Sequence, residues 1–492
     1  MKLIIKPEVL LLLTKISNSL AEQDIQAYVV GGFVRDVLLE RDTVDIDIAV
    51  ASDALEVAPK VAIALGGKYV PLDRVNKIGR VIIINRGHCE LDFSTFEGSI
   101  EQDLARRDFT IDAMAIDLGQ LGTDYIDVQL IDPFDGWGDL HRGVIRSVTE
   151  TAFESDAARL LRAVRLAAEL GFSIDKKTEA LIRRYAHLIT NVAGERVREE
   201  LLRLLAISQA EQLLSYLDEL GLITALIPEL NQAKGVEQPK EHFWNVFDHS
   251  LKTVVTADFL LRQGTWEYAS GEVLAAAPWS EMLAKHFDLE ISSGSTRRLL
   301  VKLAALLHDI AKPQAKAIEA DGRIRFLGHA KEGAAMAVNI LERLRFSAKE
   351  AKLVEVMVRY HLRPGQMSHE GLPSRKAIYR YFRDTGEAGV DILFLSLADH
   401  LATRGPHLKP DHWQKHTQIV EYVLSQRFEQ ESLVIPPKLV DGHDLINIFG
   451  MSPGSEIGEV LEAVREAQAA GELATRQEAL SYIRERLLSK AV

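Results

Sequence analysis

Apolar and polar positions recur with two different periods along this chain, and the change of period divides it. Within residues 1–145, β-rich runs such as "GRVIIINRGHCELDFSTF" are interleaved with helical stretches, so this part reads as α/β. From about residue 150 the apolar positions take up helical spacing, as in "ESDAARLLRAVRLAAELG", with Gly171 placed to cap that helix. Residues 240–420 continue as a long helical region rich in histidine, and the Pro-bearing "LVIPPKLVDG" marks a boundary before a last helical segment. The chain holds no internal repeat and no low-complexity tract. The pattern predicts a mixed α/β head over 1–145, a helical neck and body over 146–239, a histidine-bearing helical domain over 240–420 and a helical tail over 421–492.

A length of 492 residues exceeds what one ordinary core accommodates, in keeping with several domains. With 47% apolar and 26% charged residues the chain groups with soluble globular proteins. The N-terminal "VLLLL" is broken by Lys15, too short for a signal core or a membrane span, and spaced like an amphipathic first helix. No other apolar run reaches spanning length, and the single cysteine, Cys89, excludes an intrachain disulfide. A soluble, cytoplasmic protein with no membrane partner is expected. The net charge of −13 argues against indiscriminate coating of nucleic acid. Between residues 141 and 205 the sign reverses, with twelve Lys/Arg against nine Asp/Glu, a local patch that the whole-chain charge conceals.

Residues 29–50, "VVGGFVRDVLLERDTVDIDIAV", set two carboxylates, Asp45 and Asp47, in an otherwise apolar strand. Strand alternation aims both at one face and sends Ile46 and Ile48 to the core. Carboxylates this close repel each other unless a cation neutralises them, and oxygen ligands suit Mg²⁺, which binds substrate phosphates in turn. Two such ions about 3.5–4 Å apart activate an attacking hydroxyl and stabilise the leaving oxygen. Gly31 and Gly32 let backbone N–H groups approach a triphosphate, and Arg35 is placed to add a charge-assisted contact. Asp92, in the strand-like "CELDFSTF", is the candidate third carboxylate, with Glu90 on the same face as the alternative. Downstream, "DLARRDFTIDAMAID" packs Arg106, Arg107 and Asp108 together, a cluster able to hold a triphosphate and a ribose hydroxyl. A polar edge strand and a surface ion-pair cluster are the plainer readings of these two segments taken singly.

Taken together, "GGFVRD", "DIDIA", "RRDFTIDAMA", "DPFDGWGDL", "SDAARLLRAVRLAAELGF" and "GERVREEL" resemble the class II tRNA nucleotidyltransferase and bacterial poly(A) polymerase family, in the family's order over about residues 28–205. The closing segment "DGHDLINIFGMSPGSEIGEVLEAVREAQAAGELATRQEAL" resembles the tail of the CCA-adding branch. The resemblance implies a DNA polymerase β-like head, followed by helical parts, that adds CMP and AMP from CTP and ATP to a tRNA 3′ end. It also implies that Asp156 and Arg159 act as a protein template for the incoming base. The two lie three apart on a predicted helix, hence on one face, and Arg162 and Arg165 continue that face toward phosphates or the template pair. Cytosine and adenine both offer an exocyclic amine beside a ring-nitrogen acceptor, so Asp accepts and Arg donates. Three positions depart from the family. Ser155 stands where an acidic residue precedes the template Asp, and Asp112 replaces an Asn of the RRD motif. "STFEGSIEQDLARRDFT" also leaves few residues between the third-carboxylate strand and that motif. This last shortening resembles the CC-adding subgroup, whose products are finished by a separate A-adding enzyme. The rival readings are a full CCA-adding enzyme or a poly(A) polymerase.

A second constellation comprises His249, His308-Asp309, His329, His361 and Asp399. Imidazoles and carboxylates gathered in helices hold one or two divalent transition metals, and a metal-bound water then attacks a phosphoester. An adjacent His-Asp pair on an apolar helix is unfavourable to bury without a metal or partner. The order H…HD…H…H…D resembles an HD-superfamily phosphohydrolase over about residues 240–402. The resemblance implies either trimming of 2′,3′-cyclic phosphates or 3′-phosphates from RNA ends, or a metal-bearing scaffold. A rival from a different class gives this domain the main activity and makes the head a non-catalytic RNA-binding module.

Overall fold

The strand-period runs of the first part pair into one seven-stranded sheet, and the helix-period runs beyond it fold as helices. The computed structural model describes residues 5–43, 45–83, 89–121, 128–208, 210–367, 371–429 and 437–490. Part of the "GRVIIINRGHCELDFSTF" run (84–88) and part of the boundary at "LVIPPKLVDG" (433–436) lie outside the described residues. Backbone contacts divide the chain into two units, 1–192 with 219–225, and 193–218 with 226–492. Among the described residues no helix is long and apolar enough to cross a membrane. The "VLLLL" run lies in the helix Pro7–Ala21, which buries Leu13, Ile16 and Leu20.

In the first unit the strands are β1 (Ala27–Val30), β2 (Asp45–Val50), β3 (Lys68–Asp73), β4 (Ile78–Ile83), β5 (Cys89–Thr95), β6 (Ala115–Asp117) and β7 (Leu130–Ile131). They lie in the order β3-β4-β5-β2-β1-β6-β7. β2 and β5 run parallel, with Asp47 beside Asp92 and Asp45 beside Glu90. The alternation read from the sequence governs burial: Ile46, Ile48, Leu91 and Phe93 are in the core while Asp45 and Asp47 face away from it. The edge strand β3 is largely exposed and carries Pro71 and a register shift, devices that discourage pairing with another chain.

The helix Arg159–Leu170 ends at Gly171, whose φ of +70° provides the left-handed cap. The neck is not purely helical, because Val144–Ile145 pairs in parallel with Ser173–Ile174. This ladder joins residues on both sides of the head boundary expected at 145.

The second unit is built around the helices Val246–Leu260, Arg297–Leu307, His329–Arg343, Ala348–Tyr360 and Gly389–Arg404. Its tail helices Gly442–Phe449, Ser455–Ala470 and Arg476–Lys490 close their own core on Leu445, Val460, Val464 and Ile483.

Candidate functional site

In the head, chain direction reverses where β1 ends beside Asp47. Val30 pairs with Asp47 across β1 and β2, so Gly31 follows directly beside that carboxylate. Gly31 has φ +68° and ψ −137°, a conformation open to glycine alone. A Cβ there would stand 2.7 Å from Arg107 Nη1 and 3.1 Å from Asp47 Oδ2. The glycine thus brings the carboxylate and the RRD motif together across the turn into the short helix Gly32–Leu38. Burial, opposed by Arg107 and reinforced by Asp92, pushes the Asp47 carboxyl up to about 6. A partly desolvated acid beside a second carboxylate fits the site of a hard divalent cation. Asp92 is held at the same time by Arg80, Nε to Oδ1 at 2.7 Å and Nη2 to Oδ2 at 2.8 Å, and Arg80 also pairs with Glu90.

The Arg35 guanidinium donates to Asp36 at 2.9 Å and to Asp112 at 2.7 Å, with its side chain 11% exposed. The extra charge of Asp112 is answered by this contact and by Arg162 at 3.5 Å. Arg162 also reaches Asp108 at 2.7 Å. Arg106 is largely exposed and pairs with Asp103 at 3.7 Å, while Arg107 reaches the same Asp103 at 3.3 Å.

The two residues expected as the template pair, Asp156 and Arg159, do not share a helix. Asp156 follows the helix Ala152–Ser155 in extended conformation, and its Oδ1 accepts from the Ala158 N–H at 3.1 Å. Arg159 opens the next helix and donates to the carbonyls of Ala152 at 3.2 Å and Arg106 at 2.8 Å. This last bond ties the position expected to read the base to the RRD motif. Arg165 is buried against Glu169 at 2.7 Å and does not continue an exposed arginine face. Ser155 donates to the Thr151 carbonyl at 3.0 Å.

In the second unit all six predicted ligands converge. His308 and His361 cap the C-termini of Arg297–Leu307 and Ala348–Tyr360, and Asp309 lies in the turn just beyond, so the His-Asp pair ends its helix and does not sit on it. The orphan carbonyls of those helix ends accept from the ring Nδ1 of the two histidines, Ala305 O at 2.8 Å and Val358 O at 2.7 Å. His329 Nδ1 is bonded likewise to Phe326 O at 2.6 Å. Each bond fixes the tautomer that turns an Nε2 lone pair inward, as metal ligation requires.

Among the described residues, His249, His308 and Asp309 form one group with ligand atoms within 4.8 Å, and Asp309, His329 and His361 form another. Among the described residues the head carboxylates form no such group of three. Asp399 approaches His249 Nε2 at 3.1 Å. Lys312 Nζ lies 2.6 Å from Asp309 Oδ2 and 2.6 Å from Gln238 Oε1. Burial alone would raise the Asp309 carboxyl, but His308 and Lys312 hold it well below the usual range. Burial pushes His361 down to about 4, which keeps it neutral. His329 Nε2 is buried and faces Asp309 Oδ1 at 3.3 Å, two ligand types turned toward one point, which suits a bound metal.

Sequence reasoning missed Arg80, Lys312 and His242, whose ring lies 5.4 Å from that of His249. Lys312 follows Asp309 by three residues and was the most readable of these; Arg80 becomes visible only once the β4–β5 register is known.

Comparison with known proteins places these sites in a family. The Poly A polymerase head domain matches residues 27–98 and 77–146, and the RNA- and SrmB-binding site of polymerase A matches 171–234. The HD domain matches 272–404, leaving His249 outside the matched range, and tRNA nucleotidyltransferase domain 2 matches 412–483. The A-adding tRNA nucleotidyltransferase of Deinococcus radiodurans is 32% identical over 93% of this chain and 94% of its own. The CC-adding tRNA nucleotidyltransferase of Thermus thermophilus is 32% identical over 93% of each chain. A solved CCA-adding enzyme with CTP superposes with a TM-score of 0.63 at 22% identity, covering 98% of this chain and 96% of its own, a likeness of fold. The chain belongs to the tRNA nucleotidyltransferase family.

Proposed function

We propose that this enzyme transfers CMP from CTP to the 3′ end of tRNA without a nucleic-acid template, building the two cytidines of the CCA terminus and leaving the adenosine to a separate A-adding enzyme. The observation that carries cytidine addition is the join between β5 and the helix Ile100–Leu104. It spans residues 96–99, where full CCA-adding relatives are expected to have a longer loop. The tRNA 3′-hydroxyl oxygen bonds to the α-phosphorus of CTP as the bond to pyrophosphate breaks. Asp45 and Asp47, with Asp92, are the residues that would hold Mg²⁺, which when bound supplies the charge that activates the hydroxyl and the leaving group. Gly31 keeps the backbone clear for the triphosphate, and Arg106 and Arg107 face its charge. Asp156, oriented by its bond to Ala158, accepts from the exocyclic amine, and Arg159 donates to the neighbouring ring acceptor.

The Deinococcus relative, named as A-adding at the same identity, favours a second reading in which AMP is the nucleotide transferred. Extension of a tRNA transcript lacking CCA, with CTP alone, ATP alone or both, separates the readings. Extension that halts at two cytidines with ATP present supports ours. A single adenosine added to a tRNA ending in CC supports the second, CCA completion identifies a full CCA-adding enzyme, and long A tails on unrelated RNA sink the tRNA reading.

The histidine cluster supports a second activity. His249, His308, Asp309, His329, His361 and Asp399 would hold one or two divalent transition metals, which supply an activated water when bound. The domain would then remove 2′,3′-cyclic phosphates or 3′-phosphates from RNA ends, exposing the hydroxyl that the head consumes. Metal analysis of the purified protein before and after His308→Ala, beside release of phosphate from a 3′-phosphorylated RNA, tests it. A metal-bearing domain without that release is a scaffold.

A further inference from the structure

Arg80 belongs to no motif, yet it stands in one row with the head carboxylates. The β4–β5 register sets Arg80 opposite Asp92, and the β5–β2 register sets Asp92 beside Asp47. Its guanidinium engages Asp92 through both carboxylate oxygens, at 2.7 and 2.8 Å, and turns its remaining nitrogen to Glu90. One side chain therefore occupies both candidates for the third carboxylate. The planar fork of arginine matches a carboxylate in this bidentate way better than any other side chain does.

We propose that Arg80 is an internal counter-ion that a divalent cation must displace from Asp92 before the head is complete. The proposal rests on the reading of Asp45, Asp47 and Asp92 as the metal-binding carboxylates. Arg80 held on both oxygens of Asp92 already neutralises that carboxylate, and its positive charge opposes a cation placed beside it, so a head whose charges are paired in this way holds metal weakly. The Arg80 side chain is 30% exposed and can withdraw toward water without leaving a buried charge. Phosphate oxygens of an incoming CTP add ligands to the metal and tip the exchange. The cation consequently enters with the nucleotide and not ahead of it.

Mn²⁺ is the probe, with free ion measured by electron paramagnetic resonance on the full chain in the absence of nucleotide. The head component is the part of the binding that Asp47→Asn abolishes, which separates it from the histidine cluster. Arg80→Ala is expected to tighten the head component about tenfold, and CTP to narrow that gap. Arg80→Lys, a charge without the fork, should fall between. Arg80→Gln serves in place of the alanine variant should the latter melt well below wild type. A folded variant whose head affinity is unchanged or weaker overturns the proposal, since a purely structural Arg80 would loosen the site on removal. If Asp47→Asn abolishes no Mn²⁺ binding at all, the carboxylate reading itself falls and the proposal with it.

Discussion

The head and the histidine cluster both gather acidic side chains around a proposed cation site, and they do so by opposite means. In the head the donors are carboxylates on neighbouring strands, facing away from the core and balanced by the arginines Arg80 and Arg107. In the cluster the donors come from helix ends and interiors, and His249, His308, Asp309, His329 and His361 are all buried. There the imidazoles of His308, His329 and His361 are oriented by backbone carbonyls, and Lys312 pairs with Asp309. On the proposed reading the difference separates two kinds of metal use. Hard, partly exposed oxygen ligands suit an ion that comes and goes with a phosphate substrate, whereas buried imidazoles suit a resident transition metal.

The sharpest way to break this comparison is to remove one member of each site. Asp47→Asn should lower nucleotide incorporation by about three orders of magnitude, the scale of losing a principal electrostatic element at a reacting centre. It should leave the metal content of the histidine cluster intact. His308→Ala should do the converse, with bound transition metal falling below about a tenth of the wild-type content while the rate of CMP addition stays within about twofold. Single-turnover extension with CTP and elemental analysis of the same preparations check both. Loss of both properties in either variant would show that the sites are not separable.

Much of this contrast was legible in the sequence because both constellations lie in segments with a strong local period. Alternation alone placed Asp45 and Asp47 on one face, and an apolar helix running into His308-Asp309 announced a burial that needs a partner. What could not be read depended on partners distant in sequence. Arg35 is claimed by Asp112, 77 residues away, and Arg80 meets Asp92 through a register that a single sequence does not state. Asp156 and Arg159 were read as one helix because their spacing is helical. A short polar side chain competes for nearby backbone N–H groups, and Asp156 takes that of Ala158 and leaves the helix to begin at Arg159.

Acid titration of the metal-free protein sharpens the comparison by sign. The Asp47 carboxyl is raised from its usual 3.8 to about 6, so the folded state binds this proton more readily than the unfolded state does between those values. Lowering the pH through that window should therefore stabilise the protein, by up to about 3 kcal/mol. His361 is depressed from 6.5 to about 4, so here the unfolded state takes the proton first. Its contribution is present above pH 6.5 and is lost, to a similar extent of about 3 kcal/mol, as the pH falls toward 4. Denaturant unfolding in chelator at a series of pH values, for wild type and Asp47→Asn, isolates the first effect. The variant should lose more stability on acidification than wild type, and equal losses would refute the assignment.

The smallest effect tests whether neighbours of the ligands act oppositely in the two sites. Thr403 donates its hydroxyl to Asp399 Oδ1 at 3.1 Å, holding that carboxylate toward His249. It competes for no position a metal needs, because a carboxylate oxygen accepts from a hydroxyl and still offers a lone pair. Thr403→Val keeps the shape and removes the donor, so metal affinity at the cluster should weaken about tenfold, the usual effect of deleting a bond that orients a ligand. Loss of Arg80 in the head is expected to move affinity the other way, because a guanidinium brings a competing positive charge to the ligand and a neutral hydroxyl only aims it. Competition against a chromophoric chelator gives the cluster affinity. If Thr403→Val strengthened binding, Asp399 would be restrained by Thr403 and not presented by it, and the contrast between an exchanging site and a resident one would lose its basis.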